Sequence, residues 1–326
     1  PARTASSAPR EWAGPTVTYH FGVIYARAPE HADGYASAVA SIRAEMNASQ
    51  VTVDYSALTA THHASMRVLC NNDGLLSVEN TILSSSNRVA TFATITSELR
   101  DRGYSNGHLK YLVYYDNHLE TAPQYGGQGN AAWDDRPTAN NDNNGGSDWN
   151  PFFAIDYGYF GGVIWLHELS HTLGAVQLNA PHTTGGFHCT DGSDVMCYND
   201  GGPYASAYTT RVCVATPFDC NNDDYFNVTP DAGSYLATHW QLANPNIRYV
   251  NFSYPVAPCR YHHEGVILLP TAGYGNAVAL VDYTENSVRD VPPECWHHQI
   301  RLHTETALGS MRVCDVHAAI VYADGC

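Results

Sequence analysis

The stretch FGGVIWLHELSHTLG, residues 160–174, decides how the chain around it folds. Apolar side chains recur along it at the spacing of a helix that turns one face toward a core. These apolar residues are Val163, Ile164, Leu166, Leu169 and Leu173. Gly174 follows the last of them, at the place where a residue that tolerates left-handed backbone ends a helix. The stretch therefore predicts an apolar helix that ends at Gly174.

Two histidines and a glutamate lie inside this predicted helix, in the segment HELSH at residues 167–171. Because side chains four residues apart share one helix face, His167 and His171 can bind the same metal ion. Glu168 can then reach a water on that ion. Zinc lowers the pKa of bound water to about 7, and a nearby carboxylate can take its proton as it attacks a carbonyl. The motif therefore predicts hydrolysis of peptide bonds at a zinc ion.

A second segment, DVMCY at residues 194–198, follows the helix. HELSHTLG together with this segment resembles the metzincin clan of zinc peptidases, which combine HExxHxxG, a third ligand beyond the glycine and a Met-containing turn below the metal. The Met-x-Tyr form is similar to that of astacins and serralysins. The resemblance implies that Met196 forms the apolar floor of the site. It also implies that Tyr198 donates a hydrogen bond to the tetrahedral intermediate.

The third zinc ligand departs from the metzincin pattern, which places it at the position of Gln177 in this chain. A carboxamide is a poor zinc ligand compared with imidazole. An insertion of the kind seen in leishmanolysin-like metzincins would allow a later histidine to take this place. We expect His188, because it directly precedes the Met turn and a disulfide at Cys189 could hold it. His182 is the alternative.

Acidic residues cluster beyond the Met turn. Asp219, Asp223 and Asp224 lie with two asparagines in six residues, which is typical of calcium loops, although the full spacing of an EF-hand is lacking. Asp191 and Asp194 lie close enough in sequence to orient a ligand imidazole, or to cap the loop instead. Calcium is therefore a second expected metal, after zinc.

The elements before the motif alternate between strand and helix patterns, which predicts an α/β fold. The metzincin resemblance implies the α/β (α+β) zincin-like catalytic domain of that clan, with a twisted sheet and an active-site helix. Residues 126–150 turn to Gly, Asn and Asp and predict either a long surface loop at the rim of the site or a calcium-binding loop. The predicted elements are a strand at Thr16–Ala26, a helix at Ala32–Ala48, a helix at Val89–Arg102, a strand at Leu109–Tyr115 and a short helix at Tyr235–Leu242.

Three segments are expected. Residues 1–15 form a flexible polar lead, residues 16–251 a metallopeptidase catalytic domain, and residues 252–326 a small disulfide-rich β module or an extension of the first domain. The chain contains nine cysteines, and Cys70, which is isolated from the others, is expected to be the free thiol. Because disulfides persist in oxidising compartments, these cysteines and a start at Pro1 predict a secreted protein.

The negative net charge of the chain limits which macromolecules it is expected to bind. The net charge of −16 has the wrong sign for nucleic acid and for anionic membranes. No apolar run approaches the roughly 20 residues that a membrane-spanning helix needs, so no membrane partner is expected. A protein or peptide substrate remains as the expected partner.

These expectations combine into a secreted zinc-dependent endopeptidase. His167, His171 and His188 bind the zinc, and Glu168 acts as the general base. The alternative is a catalytically inactive binding protein with a metzincin fold, in which Gln177 reflects a lost metal centre.

Overall fold

A computed structural model gives the structure of most of the chain before residue 253. It describes residues 19–58, 64–71, 75–120, 126–145, 152–158, 163–209 and 218–252, and the backbone of four strands between residues 262 and 321. The predicted lead at residues 1–15 and the four cysteines of the C-terminal segment lie outside the described residues.

The described elements are four α-helices and eleven strands. The helices are α1 (Tyr35–Leu58), α2 (Phe92–Asp101), α3 (Ile164–Leu173) and α4 (Tyr235–Thr238). The strands are β1 (His20–Arg27), β2 (Ser65–Met66), β3 (Val78–Ile82), β4 (Leu109–Tyr115), β5 (Gly127–Gly129), β6 (Phe153–Tyr157), β7 (Val250–Asn251), β8 (His262–Pro270), β9 (Asn276–Thr284), β10 (His297–Leu302) and β11 (His317–Val321).

A five-stranded sheet with the order β3-β1-β4-β6-β5 organises the N-terminal part of the chain. Strands β1, β3, β4 and β6 are parallel, and β5 is antiparallel to β6 at the edge. All residues of β4 and β6 are buried, which is typical of parallel strands with both faces covered. The predicted α/β class is confirmed at this level, as a mixed α/β fold.

The core lies on both faces of this sheet, because successive strand residues point to opposite sides. On one face, Leu112 and Ala154 pack with buried residues of α1 and α3. On the other face, Val113 and Ile155 pack with buried residues of α2. Helix α3 is thus held against the sheet by its apolar side.

Helix α1 differs from the predicted Ala32–Ala48. It begins at Tyr35, whose backbone N–H donates to the Asp33 carboxylate, and it continues to Leu58. The added turns contain the β-branched residues Thr52 and Val53, which disfavour helix. Burial of Val53 and Ala57 in the core outweighs that local preference.

The other helices follow their local signals more closely. Helix α2 begins at Phe92, because Thr91 and Thr94 form a reciprocal capping box there. Helix α3 ends at Gly174, which has the left-handed φ of 82° that glycine adopts at low cost, as predicted. Helix α4 is shorter than the predicted Tyr235–Leu242, because Trp240 turns into the core and its indole N–H donates to the Leu173 carbonyl at 2.8 Å.

Strand β5 lies inside the region predicted as loop, so that prediction is wrong for Gly127–Gly129. A Cβ at Gly129 would lie 2.4 Å from the Glu168 carbonyl oxygen and 3.0 Å from the His171 Cβ. A Cβ at Gly127 would lie 2.8 Å from the Glu168 carboxylate. Glycine therefore allows the edge strand to run directly against α3.

A buried amine caps the end of α3. Lys110, the only lysine of the chain, is fully buried, and its Nζ donates to the Thr172 carbonyl at 2.5 Å. The rings of Phe152 and Tyr249 lie 4.3 and 4.8 Å from the same nitrogen. Burial lowers the pKa of Lys110 well below its usual value, which favours the neutral amine. The Lys110 side chain thus satisfies a carbonyl that the helix itself leaves without a partner.

All four cysteines of the described part are disulfide-bonded, namely Cys70, Cys189, Cys197 and Cys220. Cys189 is bonded to Cys197, as the expected tie at Cys189 requires. Cys70 is disulfide-bonded, so the prediction that it is the free thiol is wrong. Its isolation in sequence says nothing about which residues approach it in space.

The C-terminal strands form a separate antiparallel sheet with the order β11-β10-β9-β8. Strands β8 and β9 contain the apolar sequence runs GVILLP and AVALVDY. Among the described residues, no helix combines the length and the apolar character needed to cross a membrane.

Candidate metal centre

Three imidazoles meet beside α3, two of them buried and one partly buried. His167 and His171 project from the helix, and His188 comes from the loop before the Met turn. Their ligand nitrogens all lie within 4.8 Å of one another, and the Nε2 atoms of His167 and His171 are 3.1 Å apart. Tetrahedral zinc with bonds of 2.0–2.1 Å to nitrogen holds its ligand atoms about 3.3–3.4 Å apart. The two helix nitrogens therefore have close to the spacing that such an ion requires, and the His188 nitrogen lies within 4.8 Å of both.

Two of the three rings are oriented through Nδ1. His167 Nδ1 lies 2.7 Å from the Val195 carbonyl oxygen, which can only accept, so this nitrogen carries the proton. His188 Nδ1 lies 2.8 Å from the Asp200 carboxylate. Nε2 of His188 is buried and has no hydrogen-bond partner among the described residues. Both rings thus direct Nε2 toward the shared space, as metal-ligating histidines do.

The residue that orients His188 is Asp200, and not Asp191 or Asp194. The Asp194 carboxylate instead accepts from the Cys220 backbone N–H at 2.7 Å, which is a loop-organising role. Nδ1 of His171 is buried and lacks a hydrogen-bond partner within the described ranges.

All three imidazoles are held in the neutral form. Burial lowers the pKa of His167 to about 4 and the pKa of His171 well below its usual value. Burial also lowers the pKa of His188, although the Asp200 carboxylate opposes that shift. Neutral imidazole is the form that binds metal, so the environment prepares these side chains as ligands.

Glu168 lies beside the three histidines, buried between α3 and β5. Burial raises the pKa of its carboxyl to about 8, and the charge of Asp156 adds to that shift. A carboxyl with this environment retains a proton more readily than an exposed glutamate. A cation bound at the three imidazoles would oppose this shift by stabilising the carboxylate.

The other candidate ligands have different contacts. The Gln177 carboxamide accepts from the Asp134 backbone N–H and donates to the carbonyls of Ala132 and Gly174. The imidazole of His182 contacts the Asp224 carboxylate. The three-histidine group includes neither residue, and His188 is the loop histidine that the structure brings to the pair.

The Met turn supports this group from one side. Met196 is fully buried, and its carbonyl accepts from the Cys189 backbone N–H. Tyr198 is half-exposed, and its ring centroid lies 4.3 Å from that of His188 and 5.7 Å from that of His167. The hydroxyl-bearing ring is therefore at the mouth of the site.

The predicted calcium residues lie in a buried acidic loop. The Asp219 carboxylate accepts from four successive backbone N–H groups, those of residues 223–226. These bonds give Asp219 a structural role in the turn. Burial raises the pKa of Asp224 to about 8, with Asp219 adding to the shift. Asp223 and Asp224 lie close to His182, and calcium binding there stays a prediction.

Sequence reasoning missed the groups that support the ligands. Asp200 has no distinguishing signal, since it follows the Met turn in an ordinary polar loop. The Val195 carbonyl is a backbone group, which side-chain patterns do not reveal. The glycines of β5 were the available signal, because glycine inside a strand often marks a close backbone approach.

The chain was compared with known proteins. No protein-family profile matches it, and no curated protein matches it significantly.

Proposed function

We propose that the chain is a secreted zinc-dependent endopeptidase of the metzincin type. The observation that carries the proposal is the convergence of three imidazoles, of which those of His171 and His188 are buried and that of His167 is partly buried, with a carboxyl one residue beyond the first of them. His167, His171 and His188 would hold zinc and leave one position open, as catalytic zinc sites do. When bound, zinc acidifies water and polarises the carbonyl of the scissile peptide bond.

Glu168 is the proposed general base. Its carboxylate accepts a proton from the attacking water and then passes that proton to the leaving amine. The position of the side chain between α3 and β5 fixes where the proton is held. Tyr198, whose ring lies over His188, is the proposed donor to the oxyanion.

Strand β5 is the proposed guide for the peptide. It lies at the edge of the sheet, so one side of its backbone pairs with β6 and the other faces away from the sheet. An extended peptide can add to such an edge through main-chain hydrogen bonds. Because β5 passes against Glu168 and His171, a peptide bound there would cross the site.

Secretion is part of the proposal. The Cys189–Cys197 disulfide and the bonded state of Cys70 support it, because such bonds persist mainly in oxidising compartments. The alternative of an inactive binding protein depended on Gln177. The three backbone hydrogen bonds of that side chain explain its presence without the loss of a metal centre.

Replacing Glu168 by Gln tests the function. We expect zinc binding to be retained and hydrolysis of an unstructured protein substrate to fall by about 100- to 10,000-fold, since ligands and base are separate residues. Zinc content by elemental analysis and initial cleavage rates are the measurements. Asp231→Asn, at an exposed carboxylate, is the matched control. Unchanged hydrolysis in Glu168→Gln would rule out the proposed mechanism, and a metal-free, inert wild-type chain would favour the binding protein.

A further inference from the structure

Two aromatic rings are stacked beside the candidate metal centre. The ring centroids of Trp133 and Phe187 are 3.3 Å apart, with an angle of 11° between the planes. Phe187 also meets His171, edge to face, at 6.3 Å between ring centroids. Trp133 is 49% exposed, whereas most large apolar side chains of the described residues are buried. We call this pair, Trp133 on Phe187, the aromatic platform.

The backbone that carries Trp133 is fixed on both sides. The Gln177 carboxamide accepts from the Asp134 N–H at 2.9 Å and donates to the Ala132 carbonyl at 3.1 Å. Asn143, which is fully buried, makes two further bonds to the backbone of Ala132. Gln177, which occupies the position where the metzincin pattern places the third ligand, thus holds the platform in place.

Phe187 occupies a costly backbone conformation. Its φ is 70°, in the left-handed region that an aromatic residue rarely adopts. The loop retains this conformation directly before His188. Strain that persists beside a candidate site is a reason to look for a function of the side chain involved.

We propose that the aromatic platform is a substrate subsite, which binds a large apolar side chain, aromatic above all, from the peptide. The proposal rests on the endopeptidase function proposed above. Residues Gly127 and Gly129 lie against Glu168 and His171, and the chain then runs beyond the end of β5 to Trp133. A peptide paired antiparallel to β5 would place residues from the amino side of the scissile bond over the platform. The platform therefore selects on that side.

Local charge favours an apolar occupant over a cationic one. Asp134, next to Trp133 in sequence, is buried and bound by the Arg136 guanidinium through two bonds of 2.7 and 2.6 Å. The carboxylate nearest in sequence is thus already neutralised. A flat, half-exposed indole backed by a second ring offers apolar surface and stacking to a planar side chain.

Two measurements on zinc-loaded protein test the subsite. Cleavage of a peptide library by the wild type, Trp133→Ala and Trp133→Phe maps the preferred residues. Binding of uncleaved peptides that differ only in Phe or Gly, measured calorimetrically on Glu168→Gln with and without Trp133→Ala, needs no catalysis. Tyr204→Ala, at an exposed ring outside the stacked pair, is the matched control.

We expect an aromatic preference on the amino side of the cleaved bond. Trp133→Ala should lower kcat/KM for the Phe peptides by roughly tenfold and leave the Gly peptides nearly unchanged, while Trp133→Phe restores most of the preference. Gln177→Ala should weaken the same preference without loss of zinc, because Gln177 is a positioning residue.

The outcomes separate this inference from the proposed function. Cleavage without an aromatic preference, with a preference for Arg, or with one that Trp133→Ala leaves intact would overturn the subsite and leave the peptidase standing. An aromatic preference in binding that Trp133→Ala abolishes, in a protein that cleaves nothing, would support the subsite and reject the peptidase.

Discussion

Removing the Cys189–Cys197 disulfide should weaken zinc binding, because this bond joins the residue after His188 to the residue after Met196. The perturbation is the double variant Cys189→Ser, Cys197→Ser. A reductant is less suitable, since Cys70 is also disulfide-bonded and would be released as well. The variant changes the freedom of the loop and leaves all three imidazoles in the chain.

The magnitude follows from the size of the closed loop. The bonded cysteines are 8 residues apart, and the chain-entropy relation gives about 2.5 kcal/mol for a loop of that length. The hydrogen bond from the Cys189 N–H to the Met196 carbonyl remains and retains part of the order. We therefore expect a loss of about 1–2.5 kcal/mol in zinc binding, which is roughly a 5- to 70-fold increase in Kd.

Competition between the protein and a zinc chelator of known affinity measures this change, with circular dichroism to check the fold. His188→Ala is the reference, because loss of the ligand itself should weaken binding more than loss of the disulfide. A folded double variant that binds zinc within twofold of the wild type would refute the reasoning, since the loop would then be ordered by its other contacts alone.

Two further predictions concern carboxylates. Asp200→Asn should weaken zinc binding by about 10- to 100-fold in the same titration, because a neutral amide replaces the carboxylate that orients His188; an unchanged Kd would contradict this. Burial raises the pKa of Asp194 to about 9, so between about pH 4 and 9 the folded state keeps a proton that the unfolded state releases. With metal removed by a chelator, the Tm of the protein should therefore fall by several degrees as the pH rises from 5 to 8. The fall should be smaller in Asp194→Asn, and an equal dependence of Tm on pH in the two proteins would exclude Asp194 as the cause.

Periodic elements could be predicted from the sequence because their signals are local. Strand β4 has the predicted bounds, and α3 ends at the predicted Gly174. Where long-range packing decides, prediction failed. Helix α1 continues through β-branched residues because Val53 is buried in the core. Strand β5 has glycine at positions 127 and 129 because a side chain there would collide with helix α3.

In the candidate site too, local spacing predicted some residues and long-range packing placed the others. The helix fixes His167 and His171 relative to each other, so their meeting follows from spacing alone. The meeting with His188 depends on a loop whose path no local pattern determines. The role of Gln177 could not be predicted either, because two of its three partners are backbone groups of residues 132 and 134, more than forty positions earlier in the chain.

Lys110 has a practical consequence. Since it is the only lysine and is fully buried, a reagent that acylates amines finds no lysine side chain on the folded surface. Labelling of that amine would require its contacts with the end of α3, Phe152 and Tyr249 to open. The extent of acylation at Lys110 over time would thus report how often the packing around the helix that bears His167 and His171 opens, without any engineered probe.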